Sequence, residues 1–395
     1  MTQPINYIRE NSRSAGWIIL GLIGLGWLLF YKLGSLTGGL SPGEAASATA
    51  AVGWHGIYHQ PLYLPLKLVR SAVFVLFPDH GQTLTRLPNI VFGGLAIISF
   101  AWLVQLWHGT RTAILAGLLF ASGAWVLHAS RLASFDVLYL WAMPTLLLLH
   151  VLLNRHKQSA LIWYGSLLIW GLMLYIPGLI WLLIGEVWLQ RATLREAWRH
   201  FERWWQHLLY MLAALIWLPL LMLDLSRAGQ LRTWIGLPPH FATPLHIAKE
   251  FVAVPIHLFV RGPQYPDIWL GRAPILDVFS LVACLAGIYF YVTHLKAARS
   301  RLLAFMALAG GVLVGLSGPV GLSLLVPLLY VGVATGIAYL LSEWMQTFPN
   351  NPLARGLGLG LISVAVSLSC IYNVRAYFVA WPHNQATRIV FRQHR

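Results

Sequence analysis

The 395-residue chain is 58% hydrophobic and only 10% charged, whereas soluble domains carry roughly 25% charged residues. Because so few charges cannot cover a water-facing surface, we expect lipid to surround most of the fold, which excludes an ordinary soluble enzyme. The formal net charge of +15 comes from basic residues in short clusters between apolar runs. That pattern is typical of loops facing an anionic leaflet, so we expect membrane lipid, and no nucleic acid, as a partner.

Apolar runs long enough to cross a bilayer recur along the chain. The first, 15–33, lacks a clean small-residue cleavage site, so we interpret it as a retained anchor rather than a signal peptide. The stretch 160–190 is too long for one helix and is interrupted at Pro177-Gly178, which predicts two tight crossings. An all-α, polytopic fold with about eleven crossings is therefore predicted. The other crossings are predicted at 87–107, 112–129, 134–153, 208–226, 277–295, 302–318, 320–342 and 356–374.

The apolar segment 61–77 is ambiguous because it contains Lys67 and Arg70, and charges are costly at the centre of a bilayer. If it lies along the membrane surface and the N-terminus is cytoplasmic, the basic clusters fall on the cytoplasmic side. If it spans, the basic connector 191–203 faces outward, against the positive-inside rule. The surface position is favoured, and the spanning alternative stays open.

The favoured arrangement puts the two longest hydrophilic segments, 34–86 and 227–276, on the outer face with the turn 130–135 and the C-terminal tail. We expect a multi-pass protein of the plasma membrane that works on its outer side. It divides into an N-terminal module, 1–190, which holds the first outer loop, and a C-terminal module, 191–395, which holds the second.

Four short motifs follow one another on the predicted outer face. They are Gly43-Glu44, His59-Gln60-Pro61-Leu62-Tyr63, Arg86-Leu87-Pro88, and Ser130-Arg131 with Asp136. In this order they resemble motifs of the GT-C glycosyltransferases of the protein mannosyltransferase and aminoarabinose transferase type. The resemblance covers about the first 190 residues. Two features depart from it: Gly43 stands where the family has an acidic residue, and no Arg-Tyr pair follows Gly318-Pro319.

The resemblance implies an enzyme that moves a sugar from a polyprenyl-phosphate carrier to a protein, lipid or glycan acceptor on the outer face. Glu44 is the predicted catalytic base, since transfer requires a group that takes the acceptor's proton. Arg86 and Arg131 are predicted to bind the phosphate, because arginine binds phosphate oxygens bidentately and keeps its charge near lipid. The remaining predicted substrate-binding residues are His59, Tyr63 and Asp136.

No sequence-adjacent ligand set predicts a metal, so no cofactor is predicted and a divalent metal is left open. Two other functions also stay open. A transporter or lipid flippase would carry polar groups near the middle of several helices, whereas Glu186, Asp224 and Glu343 lie near predicted helix ends. A non-catalytic relative that keeps the scaffold and binds a partner would explain the loss of an acid at Gly43.

Overall fold

A computed structural model describes most of the chain as helices joined by turns, with no β-strand among the residues it covers. Those residues are 12–49, 53–78, 81–157, 159–200, 204–227, 229–264, 269 and 273–391. The first ten helices are α1 (Ser12–Phe30), α2 (Pro42–Thr49), α3 (Gly53–His59), α4 (Leu64–Leu76), α5 (Gln82–His108), α6 (Thr110–Ser122), α7 (Ala124–Arg131), α8 (Asp136–Arg155), α9 (Ala160–Met173) and α10 (Leu179–Leu189). The all-α prediction is confirmed.

The second half of the chain continues the same architecture. Its helices are α11 (Arg191–His200), α12 (Trp204–Leu215), α13 (Leu218–Leu225), α14 (Gln230–Trp234), α15 (Pro244–Phe259), α16 (Val278–Thr293), α17 (Ala298–Gly315), α18 (Val326–Thr347), α19 (Pro352–Arg375), α20 (Trp381–His383) and α21 (Gln385–Val390). A 3₁₀ turn over Leu322–Leu324 precedes α18, and one π-helical turn over Ala376–Ala380 links α19 to α20.

Six helices or helix runs in the described ranges are long and apolar enough to cross a bilayer. They are Gln82–His108, Asp136–Arg155, Gln206–Leu225, Ala298–Gly315, Leu322–Thr347 and Pro352–His383. Shorter apolar helices lie at Gly21–Phe30, Ala160–Met173, Leu179–Leu189 and Val278–Thr293. The chain is therefore a multi-pass membrane protein. Every predicted crossing coincides with one of these helices or with the pair α6 and α7, while the count of about eleven crossings stays a prediction.

The segment 112–129, expected to form one straight crossing, is bent instead. Helices α6 and α7 meet at an angle of 61°, and the bend falls at Gly123, between the two helices. A Cβ atom built at Gly123 would lie 2.5 Å from the Tyr330 hydroxyl of α18. The bend thus lies against a helix about two hundred residues away in sequence, a contact that local patterning does not contain.

Helix α4 has 13 residues, so it is about 20 Å long and too short for a hydrocarbon core of about 30 Å. This length agrees with a surface position for the segment 61–77. Its buried face carries Lys67, Arg70 and Phe74, whereas Val75 and Leu76 are exposed. Both charged side chains of this helix therefore point into the protein, and the apolar side chains near its C-terminal end are exposed.

One apolar core joins helices from both predicted modules, with α5, α6, α8, α16 and α18 contributing its centre. The indole of Trp125 donates to Ser323 Oγ at 2.9 Å, which links α7 to the turn before α18. Helices α16 and α18 approach closely at glycines, because a Cβ atom at Gly336 would lie 1.8 Å from the Ala283 carbonyl oxygen. Small residues permit such approaches in membrane bundles. The division at residue 190 stays a prediction.

The loops predicted to be outer meet at one end of the bundle, here called the site end. The Tyr139 hydroxyl lies 3.2 Å from the carbonyl oxygens of both Pro177 and Pro319. The Gly178 amide donates to the Trp234 carbonyl at 2.8 Å. The break in the stretch 160–190, the start of the loop 227–276 and the segment before α18 therefore pack together.

Candidate functional site

Glu44, in the first turn of α2, is buried at the site end with 2% of its surface exposed. Its Oε1 accepts hydrogen bonds from Arg86 Nε at 2.8 Å and from the Ala133 amide at 2.9 Å. Its Oε2 accepts from Arg86 Nη2 at 2.8 Å and from the Ser41 amide at 3.1 Å. A carboxylate offers about four acceptor positions, so all of them are occupied. To take a proton from a substrate, Glu44 must release one of these donors.

Arg86, near the start of α5, is as buried as its partner. Besides the two bonds to Glu44, it donates from Nη1 to the Leu33 carbonyl at 2.8 Å and from Nη2 to Thr37 Oγ1 at 3.1 Å and the Gly39 carbonyl at 3.0 Å. All three guanidinium nitrogens are therefore engaged with protein oxygens. Arg86 holds the segment after α1 against α5, and a direct contact with phosphate would require it to exchange a protein acceptor for the ligand.

Arg131, the last residue of α7, is 1% exposed and has a different environment. Its Nη2 donates to the Tyr31 carbonyl, whereas Nε and Nη1 have no hydrogen-bond partner. The guanidinium carbon lies 5.1 Å from the ring centroid of Tyr377 and 4.6 Å from that of Phe378, within the range of cation–π attraction. The segment after α19 therefore covers this predicted phosphate ligand with aromatic rings.

Two further cations, absent from the predicted site, lie on the buried face of α4. Arg70 is 0% exposed and donates through Nη1 to the Ser47 carbonyl, but its Nε and Nη2 have no partner. Lys67, one turn earlier, is 1% exposed and donates through Nζ to the Gln60 carbonyl. Burial lowers the pKa of Lys67 to about 8 and that of Arg70 to about 10. The signal that could have found them was two charges three residues apart in an otherwise apolar helix.

These groups form a polar layer, defined here as Glu44, Ser47, Arg70, Arg86 and Arg131; hydrogen bonds connect the first four, and Arg131 lies two residues before Ala133, which bonds to both Glu44 and Ser47. Ser47 accepts from Arg70 through its carbonyl oxygen and donates from Oγ to the Ala133 carbonyl, while the Ala133 amide bonds to Glu44. Three arginines share the layer with one carboxylate. Neither Arg70 nor Arg131 is in an ion pair in the part of the chain that the structure describes. The layer therefore has an excess of buried positive charge.

No family model and no curated protein matches this chain, but solved structures do. ArnT from Cupriavidus metallidurans in the apo state aligns with 96% of this chain and 77% of its own, at a TM-score of 0.56 and 14% identity. The same protein bound to undecaprenyl phosphate aligns with 95% of this chain and 77% of its own, at a TM-score of 0.55 and 13% identity. A third structure is the oligosaccharyltransferase AglB from Archaeoglobus fulgidus in complex with an inhibitory peptide and a dolichol-phosphate. It aligns with 94% of this chain and 56% of its own, at a TM-score of 0.52 and 14% identity. ArnT and AglB are both GT-C glycosyltransferases.

The chain has the GT-C fold. This fold agrees with the resemblance carried by the four motifs of the first 190 residues. The alignment extends over nearly the whole chain, so the C-terminal half, where the sequence motifs gave no guide, also follows the GT-C arrangement.

Tyr63 and Asp136 lie beside the polar layer of this GT-C bundle. The Tyr63 ring stacks on Phe135, with 4.1 Å between centroids and 12° between planes, and its left-handed backbone (φ 64°) immediately precedes α4. Burial raises the pKa of Tyr63 to about 12. A Cβ atom at Gly321 would lie 2.6 Å from Asp136 Oδ1, so the carboxylate contacts the backbone before α18. Both residues thus lie at the site end.

His59 lies at the exposed rim of the same end. Arg227 donates to the carbonyl oxygens of His59 and, at 3.1 Å, Tyr58, which fastens the second predicted outer loop to the first. The structure therefore brings all six predicted site residues to one end of the GT-C bundle. Within the described ranges, no three His, Cys, Asp or Glu side chains converge as a metal ligand set would.

Lys67 should make stability depend on pH in a defined window. Its pKa is about 8 in the folded protein, against the ordinary value of 10.5. Between these values the unfolded chain binds more protons, so stability rises with pH. We expect the unfolding temperature of the wild type, minus that of Lys67→Met, to increase from pH 8 to pH 10. Lys249→Met, at an exposed position of α15, is the control variant; equal slopes for the two variants would contradict the effect of burial on Lys67.

Proposed function

We propose that this protein is a membrane glycosyltransferase that moves a sugar from a polyprenyl-phosphate carrier to an acceptor on the outer face of the plasma membrane. The observation that carries the proposal is the excess of buried positive charge in the polar layer, at the end of a GT-C bundle where all four motifs meet. Buried charge is costly unless it is compensated. An anionic donor headgroup would compensate it.

The structural neighbours support this class of donor. One ArnT structure holds undecaprenyl phosphate, and the AglB structure holds a dolichol-phosphate together with a peptide. For this chain we propose a polyprenyl-phosphate sugar as donor and a protein, lipid or glycan as acceptor. Arg155 and Lys157 lie at the end of α8 opposite Asp136, and because basic connectors favour the cytoplasm, they support an outer-face position for the polar layer.

The hydrogen-bond pattern suggests distinct roles within the layer. Glu44 stays our proposed base, and it acts as one only when Ala133 or Ser41 withdraws its amide. Arg86 is proposed to position Glu44 through its two bonds to that carboxylate. Arg131, with two free nitrogens, is proposed to contact the phosphate once Tyr377 and Phe378 move aside. Asp136, Tyr63 and His59 are proposed to contact the sugar or the acceptor.

Turnover of a lipid-linked sugar tests the proposal. Purified protein in nanodiscs would be given a panel of polyprenyl-phosphate sugars with water or a candidate acceptor, and release of the polyprenyl phosphate would be measured. We expect one sugar to be released by the wild type, and release to fall at least about a hundredfold in Glu44→Gln. Glu196→Gln is the comparison, because this carboxylate is 49% exposed and pairs with Lys157 at the opposite end of the bundle, and it should keep the wild-type rate. Release by a folded Glu44→Gln protein at the wild-type rate would exclude Glu44 as the base.

A second candidate function is a non-catalytic GT-C scaffold that binds a lipid phosphate or a partner. The saturation of Glu44 by four protein donors, with Gly43 in place of a second acid, favours it. The same assay separates the two functions: saturable binding of polyprenyl phosphate without release of any sugar in the panel would identify the scaffold.

A further inference from the structure

Helix α4 buries both of its cations and exposes apolar side chains near its C-terminal end. Lys67, Arg70 and Phe74 are buried, whereas Val75 and Leu76 are exposed by 76% and 71%. On a helix with a rise of about 1.5 Å per residue, Val75 lies only about 8 Å along the axis from Arg70. A surface that suits hydrocarbon therefore lies less than two helical turns along α4 from a buried cation.

Arg70 is the buried cation of the polar layer with the least compensation. Arg86 has a carboxylate on two of its nitrogens, and Arg131 lies against two aromatic rings. Arg70 has one backbone acceptor, one ring at 5.8 Å, and two buried nitrogens, Nε and Nη2, without a partner. Buried polar groups in proteins are almost always satisfied. A water molecule could accept these hydrogen bonds, but it would leave the charge uncompensated.

The free nitrogens also have the geometry of an oxyanion ligand. Nε and Nη2 are on one edge of the guanidinium plane, and that edge matches two oxygens of a phosphate group. Lys67, one turn away on the same buried face, places a second positive charge on this side of the layer. The exposed apolar face of α4 is where the hydrocarbon tail of such a phosphate would lie.

We propose that Arg70 binds the phosphate group of a lipid-linked ligand through Nε and Nη2, with the lipid tail along the exposed face of α4. This deepens the proposed function, on which it rests for the identity of the lipid. It assigns the first phosphate contact to helix α4 rather than to Arg86, whose three nitrogens all donate to protein oxygens, or to Arg131, which the rings of Tyr377 and Phe378 cover.

The test is equilibrium binding of short-chain polyprenyl phosphate to the full-length protein in nanodiscs, with inorganic phosphate and the uncharged polyprenol as further ligands. We expect Arg70→Gln to weaken polyprenyl phosphate about tenfold to a hundredfold, the range for a charged hydrogen-bonding pair, and to leave polyprenol unchanged. Arg299→Gln is the matched control. Arg299 is a partly buried arginine with an unpartnered Nε at the opposite end of the bundle, and its replacement should not alter binding.

Each outcome decides the inference. Wild-type affinity in Arg70→Gln overturns it and leaves the proposed function standing. If the wild type binds inorganic phosphate and polyprenyl phosphate with equal affinity, the claim that a lipid tail lies along α4 is overturned. If the wild type binds no phosphate ligand at all, the inference and the proposed function both fail. If Arg70→Gln does not fold, the binding measurement is made on Arg70→Lys instead. It keeps the charge but cannot present two coplanar N–H groups, so we expect it to fold and to bind about tenfold more weakly.

Discussion

Replacing Arg86 by alanine should destabilise the protein by about 3–5 kcal/mol, the cost of removing one partner of a buried ion pair. The substitution leaves Glu44 buried, with two of its four donors lost. It also removes the side-chain donor of the Leu33 carbonyl and one of the two side-chain donors of the Gly39 carbonyl, which keeps the Thr37 hydroxyl. We expect the loss to appear as a lower free energy of unfolding in mixed micelles, followed by tryptophan fluorescence.

An ion pair of equal length at the opposite end provides the control. Lys157 Nζ lies 2.8 Å from Glu196 Oε2, the same separation as Arg86 Nε from Glu44 Oε1, but its side chains are 42% and 49% exposed. Exposed pairs contribute about 0–1 kcal/mol, so Lys157→Ala should have a small effect. Similar losses in the two variants would show that the Glu44–Arg86 pair is not desolvated. The double variant Glu44→Leu/Arg86→Leu should lose less stability than the summed losses of Glu44→Leu and Arg86→Leu measured separately, because neither charge is then left unpaired.

The transmembrane pattern could be predicted from the sequence because it depends on local hydrophobicity alone. Apolar runs marked the crossings, and Pro177-Gly178 marked the break between α9 and α10. The bend at Gly123 could not be predicted in this way. It requires a close approach of Tyr330, and a glycine in an apolar run gives no indication of what will pack against it.

The location of the site residues could be predicted more fully than the hydrogen bonds that decide which of their atoms are free. Motif order and the positive-inside rule predicted Glu44, Arg86 and Arg131 on one face, and in the structure all three are buried in the polar layer, where Glu44 and Arg86 are hydrogen-bonded to each other. Which arginine nitrogens remain free depends on backbone carbonyls of the segment after α1 and of α2. Those contacts form only when the helices pack. Arg70 was missed for the same reason. In the sequence its charge bore only on whether α4 spans the membrane or lies along its surface. The hydrogen bond to the Ser47 carbonyl shows that it faces the polar layer.

The position of Arg131 depends in turn on one glycine of α5. A Cβ atom at Gly93 would lie 2.3 Å from the Cβ of Ser130 and 3.1 Å from its Cα, so α7 contacts α5 almost backbone to backbone. At Gly94 the nearest atom to such a Cβ is Leu29 Cδ1 at 3.9 Å, an ordinary contact. The two neighbouring glycines therefore offer the same substitution in the same helix with opposite steric consequences.

Gly93→Ala should destabilise the protein by about 1–3 kcal/mol, the usual cost of overpacking, whereas Gly94→Ala should be neutral or stabilising, since alanine favours a helix by about 1 kcal/mol over glycine. The helix-propensity gain is common to both variants, so their difference isolates the contact with α7. Because Ser130 cannot shift without moving Arg131, we also expect Gly93→Ala to weaken binding of polyprenyl phosphate while Gly94→Ala keeps it. Unfolding and binding measured on the same preparations check both expectations. Equal stability of the two variants would mean that α7 does not pack against α5 at Gly93.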